Sequence, residues 1–396
     1  MVADAKREGT AESDSTDDVH IPIAPSSRRR LLGPIGLPIV AFFIGRIFLM
    51  LVISGMGFNP SDARTWQRGD ARLYLTIAVD GYQLWQSDGS RFPKGDWLGN
   101  TGWMPLYPWM IRGLVYLGAN IYVAAAALST LFHFLTLIVL WNLFLADVDR
   151  RRGFCCLLFA TFFPGQIYQH AAFPISLFTF LTLMACAAVL RSRWWTAGLA
   201  AMAAALAYST GFLLSPILGF YFALSTHRKN WRSGQIYRWA LCAASPLAGM
   251  GLVFLFEQIT AGKWNGFFLT QEKYGHSLHN PLSTILWQFD YVKRKPAMLW
   301  QWVFLDVLVL TSYVWVGATW SRRPNVDRLL LIFFGLSWFF PLLMGTGVSA
   351  LRSAATMLPA APLFRRLPSV VQIALVLICA VLSVMAVKQY LLFPTL

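Results

Sequence analysis

Asp70 sits near the start of the run Gly69-Asp70-Ala71-Arg72-Leu73-Tyr74-Leu75-Thr76-Ile77-Ala78-Val79-Asp80-Gly81-Tyr82. Asp70, Tyr74 and Ile77 recur at helical spacing, which puts them on one stripe of a short amphipathic helix. A carboxylate at a membrane edge, embedded among aromatics, is suited to take the proton of a hydroxyl as it attacks. Asp80, a turn residue beside Gly81, ranks below Asp70 as a base. Further on, the prolines of Trp103-Met104-Pro105-Leu106-Tyr107-Pro108 bracket the start of another short helix. Arg46 and Asp306 each lie within a long apolar run. A charge there costs at least ~2.5 kcal/mol by insertion scales, so each needs a partner or a polar cavity. Asp306 is a candidate partner for Arg46. His133 and His170 have no second ligand at i+3 or i+4, so they read as helix-packing side chains, and no metal site is indicated.

The elements that must position these groups follow from composition. The chain has 396 residues, 57% of them hydrophobic and only 13% charged, with a mean hydropathy of +0.53. A soluble domain carries about a quarter charged residues, so this is an all-α polytopic membrane protein. At roughly 20 residues per span there is room for about ten or eleven transmembrane helices and no sizeable soluble domain. Apolar runs fall at 35–55, 120–145, 154–170, 174–190, 194–209, 211–226, 239–259, 297–320, 328–345, 351–364 and 369–391.

The net charge of +15 would suggest nucleic acid if its cations formed one patch. They do not: basic clusters precede the first run (Arg28, Arg29, Arg30) and then recur around 150–152, 191–193, 228–238, 322–328 and 365–366. Under the positive-inside rule that alternation puts the amino terminus in the cytoplasm. Residues 1–30 form a polar, acidic tail, expected to be disordered and without a cleavable signal peptide, that ends in the first basic cluster. Residues 31–396 form a single transmembrane domain with long outer loops at 56–119 and 260–296. The first outer loop is rich in aromatics, Pro and Gly, as expected of interfacial helices packed on a bilayer. The five cysteines lie in apolar stretches without metal-ligand spacing, so they read as small hydrophobes. There is no glycine-rich phosphate loop, HExxH, CxxC pair or Gly-x-Ser-x-Gly elbow.

The Gly69–Tyr82 run resembles the Trp-Asp-Ala-x-x-Tyr-Leu-x-Ile-Ala-x-x-Gly-Tyr signature of the PIG-V-like mannosyltransferases, multispanning enzymes of the GT-C fold. Met104-Pro105-Leu106-Tyr107-Pro108 is similar to that family's Phe-Pro-Leu-Tyr-Pro element, and Gly45-Arg46-Ile47 resembles its Ser-Arg-Leu. Phe267-Phe268-Leu269-Thr270-Gln271-Glu272-Lys273-Tyr274-Gly275 looks like its Phe-x-x-x-Gln-x-x-Trp-Gly outer-loop motif. The stretch 349–362, with Arg352, is similar to its late Ser-x-x-Arg-Tyr segment. The shared order covers nearly the whole chain after residue 35.

This resemblance implies a GT-C-like bundle and inverting transfer of mannose from a polyprenyl or dolichyl phosphate carrier to an acceptor hydroxyl on the outer side. The lipid-linked sugar is then a donor substrate, and no cofactor is implied. Asp70 would be the general base. Arg352, with Arg46 and Arg72 as further candidates, would neutralise the departing phosphate, because a guanidinium fork matches phosphate oxygens. Gln271 and Tyr274 would line the acceptor groove, with Tyr107 as a further sugar-facing surface. The partners expected are the bilayer and the carrier, with no nucleic acid, and the expected location is a bacterial inner membrane. Three departures from the family pattern stand out: Gly69 replaces an aromatic, Ile175 a glutamate, and Tyr208 an arginine. They keep a second reading open, a catalytically inactive membrane subunit. A transporter whose pathway is lined by Arg46 and Asp306 is a third.

Overall fold

A computed structural model describes residues 35–90, 92–225, 233–272, 277–294, 296–345 and 350–392. The tail assigned to 1–30 lies outside them, as do the basic cluster Arg28–Arg30 and Tyr274. The helices are, in order, α1 Gly36–Gly55, α2 Ala71–Asp80, α3 Leu106–Tyr116, α4 Ile121–Val139, α5 Arg150–Thr161, α6 Ile167–His170, α7 Ile175–Leu190 and α8 Trp194–Ala207. They continue as α9 Leu214–Ser225, α10 Ser233–Ala261, α11 Gly266–Glu272, α12 Pro281–Arg294, α13 Pro296–Gly317, α14 Asn325–Leu343, α15 Ala350–Thr356 and α16 Ser369–Leu392. Among the described residues five helical segments are long and apolar enough to cross a membrane: Gly36–Gly55, Ile121–Phe144, Gly234–Ala261, Asn325–Leu343 and Ser369–Leu392. Shorter apolar helices, among them Ile175–Leu190 and Trp194–Ala207, fill out the bundle.

Two of the expected runs are not continuous helices. Run 154–170 breaks between α5 and α6, where Pro164 has no N–H to give and Gly165 turns with φ 79°. Run 351–364 is divided into α15 and a 3-10 segment, Leu358–Arg366, that carries Pro359 and Pro362. The first outer loop holds the two interfacial helices expected there, α2 and α3. It also holds a short antiparallel hairpin, Leu84–Gln86 against Trp97–Gly99, which the sequence pattern does not announce.

Helix α8 packs between α7 and α10, and α7 packs in turn on α4. Its buried face is Ala197, Gly198, Ala201, Ala204 and Ala205, small side chains that let backbones approach closely in the absence of a hydrophobic driving force between helices. Gly249 on α10 shows how close: a Cβ there would come within 2.7 Å of the Met202 carbonyl oxygen.

Charge marks the two ends of the bundle. At one end Arg365, fully buried, donates to Asp147 at 2.9 Å and pairs with buried Asp327, while Arg366 reaches Asp147 at 2.8 Å and Arg323 approaches Asp327 at 3.7 Å. Three of the charged knots, around 147–152, 322–328 and 365–366, therefore meet in one place. Helix α4 separates this end from the first outer loop, with Arg64 over Tyr122 at its start and Asp147 just beyond its last turn, the π-helical Leu140–Phe144.

Candidate functional site

Asp70 is the residue just before the first turn of α2. Gly69 precedes it with φ 55°, a left-handed conformation that any side chain with a Cβ resists. The turn thus accounts physically for glycine at the position where the family pattern has an aromatic. The Asp70 side chain does not cap its own helix. It accepts instead from Nη1 of Arg352, on α15, forming an ion pair across 282 residues of chain. The two side chains are 28% and 24% exposed, so the pair sits in a recess that solvent still reaches.

Phenols wall that recess. Tyr74, Tyr168 and Tyr208 all lie within electrostatic reach of both Asp70 and Arg352. Burial first, then Tyr208 and Asp70, holds the Tyr74 hydroxyl well above its ordinary range, so it stays a neutral hydrogen-bond donor. Edge-on ring contacts lock the wall: Tyr74 to Phe173 at 6.0 Å, Tyr168 to Phe173 at 5.2 Å and Tyr168 to Tyr390 at 5.6 Å. The Tyr390 hydroxyl accepts from the Arg68 N–H at 3.1 Å, tying the last helix to the segment before Asp70.

The far end of α2 is held as firmly. Arg112 on α3 donates to the carbonyls of Ala78, Ile77 and Val79 at 2.6, 3.2 and 3.1 Å, placing a cation on the negative end of the helix dipole. The turn after α2 is fixed by Asn100, whose amide accepts from Gln83 N–H and donates to the Gly81 carbonyl.

The other candidates separate into distinct places. Tyr107 is fully buried, and its hydroxyl is engaged by the Ala125 carbonyl and Ser129 at 2.7 and 2.8 Å. Its ring meets Tyr74 edge-on at 5.8 Å, so it packs behind the wall. Arg72 is on the exposed face of α2. Gln271 donates to the Gly102 carbonyl at 3.2 Å, joining α11 to the loop before α3. Tyr274 lies outside the described residues. Arg46 does not pair with Asp306: Asp306 accepts from the Trp338 indole at 2.7 Å. The Arg46 guanidinium lies 4.1 Å over the Trp66 ring, and its Nη1 is 3.4 Å from His170 Nδ1. A long intramembrane cation was here stabilised by an aromatic face and an imidazole, which no charge-pairing rule anticipates.

The two remaining departures lie on α7 and just after α8. Ile175, at the start of α7, is fully buried, and Phe178 one turn on packs against Tyr208 at 5.6 Å. A lone acid at buried position 175 would need a partner there. Tyr168 and Phe173 were not singled out by sequence, because each aromatic is one of many in an apolar run. Among the described residues no cluster of three or more His, Cys, Asp or Glu could hold a metal ion.

No protein-family model matches the chain. Among curated proteins it is similar to the GPI alpha-1,6-mannosyltransferase 2 of Rattus norvegicus, 32% identical over 153 residues, or 37% of this chain and 30% of that protein. Among solved structures it is similar to the apo oligosaccharyltransferase of Archaeoglobus fulgidus, with a TM-score of 0.53 at 12% identity, covering 93% of this chain and 56% of that one. It is also similar to oligosaccharyltransferase AglB of that organism in complex with an inhibitory peptide and a dolichol-phosphate, with a TM-score of 0.50 at 13% identity, covering 89% and 56%. The chain spans little more than half the length of those structures, and the aligned stretch under a third of the curated relative. The likeness to the solved structures is one of fold: a GT-C-like membrane bundle.

Proposed function

We propose that this chain is a membrane glycosyltransferase that moves a sugar, mannose, from a polyprenyl or dolichyl phosphate carrier to an acceptor hydroxyl on the outer side of the membrane, with inversion. The observation that carries the reading is the Asp70–Arg352 pair in its phenol-walled recess at the end of the bundle away from the basic clusters. The name of the rat relative supports the sugar, and the dolichol-phosphate bound to AglB, a protein of similar fold, supports the carrier.

The chemistry follows from the two charges. A donor phosphate competes with Asp70 for the Arg352 fork, since a guanidinium binds phosphate oxygens as well as carboxylate. Arg352 then turns from Asp70 to the phosphate, and the freed carboxylate accepts the proton of the acceptor hydroxyl. The acceptor oxygen bonds to the anomeric carbon as the carbon–oxygen bond to phosphate breaks, and the carrier phosphate leaves with the electron pair against Arg352. One displacement inverts the centre. The buried tyrosines hold both groups in place and limit water in the recess. In a bacterial inner membrane the charged knots would face the cytoplasm and the recess the periplasm.

Incubation of purified protein with radiolabelled polyprenyl-phosphate mannose and a lipid extract tests this reading. Asp70→Asn is expected to lower transfer by about 10²- to 10⁴-fold, the usual worth of a positioned base, with carrier binding retained. Wild-type transfer undiminished in Asp70→Asn would remove the assignment. A second reading is favoured by Ile175 and Tyr208, where an acid and a base of the family pattern are both gone: a subunit that binds the carrier without transferring sugar. Equal carrier binding by wild type and Asp70→Asn with no labelled product from either would select it.

A further inference from the structure

A concave groove of about 700 Å³ runs between α1 and α4, away from the recess that holds Asp70. Its walls include Phe42, Phe43, Met50, Ala126, Leu131 and Phe134, and Phe43 and Leu131 are about half exposed, so it opens sideways towards lipid. A volume of this size is in the range of ligand sites, and the groove is shallow and open along its side rather than enclosed. One charged side chain lines it, Arg46. Arg46 lies nine residues before the end of α1 at Gly55, which at 1.5 Å per residue is about 14 Å below that end.

Two independent features indicate an anionic occupant. Among the described residues Arg46 forms no salt bridge with a carboxylate; its contacts are the Trp66 ring and His170. A cation at membrane depth without a counter-ion is expensive, and such residues mark ligand pathways. Behind it, fully buried and outside the groove's own lining, lie polar atoms with no hydrogen-bond partner: both ring nitrogens of His133, Nε2 of His170 and both amide atoms of Gln166. The two imidazoles are 4.6 Å apart, and Phe42, from the groove wall, packs on each at 6.3 and 6.0 Å. Groups of this kind take water or an anion's oxygens. The outer loop also bends in, since Pro60, Ser61, Ala63 and Trp66 line the same groove. Four residues beyond Trp66 the chain reaches Asp70.

We propose that this groove is a second lipid site, which holds the isoprenoid chain of the phosphate carrier with its phosphate drawn to Arg46, the cation that the His133–His170–Gln166 nest backs from behind Phe42. It is separate from the Asp70–Arg352 recess and joined to it by the segment 66–70, so a carrier waits, or leaves, on one side of that segment and reacts on the other. The inference rests on the reading of this chain as a carrier-dependent transferase.

The test uses the full chain in detergent and a farnesyl phosphate bearing a diazirine on its chain, photolysed and mapped by peptide mass. Adducts are expected on α1 and α4, competed by undecaprenyl phosphate and not by undecaprenol or phosphatidylglycerol. Arg46→Gln should lower labelling at least tenfold, and Arg46→Lys should keep most of it. Ala126→Phe, which narrows the groove and leaves the charge, should lower it as well. Adducts spread over outward faces such as α16, or equal competition by phosphatidylglycerol, would overturn the proposal in favour of bulk lipid, as would undiminished labelling in Arg46→Gln or Ala126→Phe. Asp70→Asn separates the two readings: groove labelling should persist while sugar transfer is lost. Asp70-dependent transfer with no adduct on α1 or α4 overturns the groove alone, and groove adducts in a wild type that transfers nothing support the groove and remove the transferase reading.

Discussion

At the scale of residues, the resting state of the site is a closed ion pair. Asp70 and Arg352 pair in a partly exposed recess, and under the proposed mechanism the carboxylate is released when a phosphate takes the guanidinium. This predicts unequal effects at position 352. Arg352→Lys keeps a charge and loses the planar fork that can grip phosphate through two N–H groups. It is expected to raise KM for the carrier by about tenfold while leaving some turnover. Arg352→Gln, which loses the leaving-group charge as well, should lower kcat by about 10²-fold or more. Equal kinetics for the two variants with a natural carrier would mean that Arg352 only holds Asp70. Gly69 belongs to the same scale, since its left-handed turn directs Asp70 off the helix and towards α15.

Among elements, α2 is the one that must not move, and it is clamped at both ends. Arg352 holds the residue at its start, and Arg112 holds three carbonyls at its finish. Hydrogen bonds to charged groups contribute about 1.5–3 kcal/mol each at most, and shared donors give less than the sum. Arg112→Ala is therefore expected to cost about 2–3 kcal/mol, read as a lower midpoint of thermal unfolding, and to lower transfer although position 112 is remote from the chemistry. At the other end, the 3-10 segment 358–366 is fastened to α14 and to the loop after α4 by Arg365, Arg366, Asp147 and Asp327. Burial raises the Asp147 carboxyl, but Arg365 and Arg366 outweigh it and hold the group below its ordinary value. A depressed folded-state pKa gives stability that is complete above the unfolded value near ~4 and is lost as pH falls through the folded value. Acid unfolding should accordingly show a limb below about pH 4 that Asp147→Asn flattens. An unchanged limb in that variant would assign the acid sensitivity to other carboxylates.

For the whole molecule, the two charged ends define an orientation. The knots joined by Arg365 lie at one end, and the Asp70 recess with its hairpin loop lies at the other. In a background with the partly exposed Cys155 replaced by Ser, Ser90→Cys in the hairpin loop should react with an impermeant thiol reagent added to intact cells. Ser321→Cys, between α13 and α14, should react only after permeabilisation. The reverse pattern would place the recess on the cytoplasmic side and end the proposal of outer-face transfer.

Composition alone determined that this chain is a bundle of membrane helices, because 57% hydrophobic residues in spanning runs leave no soluble alternative. Local spacing determined α2, with Asp70 at its start, and α3, since helical periodicity and prolines act within a few residues. Only the tertiary structure decided which charges meet. Asp70 and Arg352 are 282 positions apart, and Arg46 found Trp66 and His170 where spacing offered Asp306. Pairing of this kind depends on which helix faces converge, and in a chain whose runs are apolar on nearly every side no periodicity records which face looks inward.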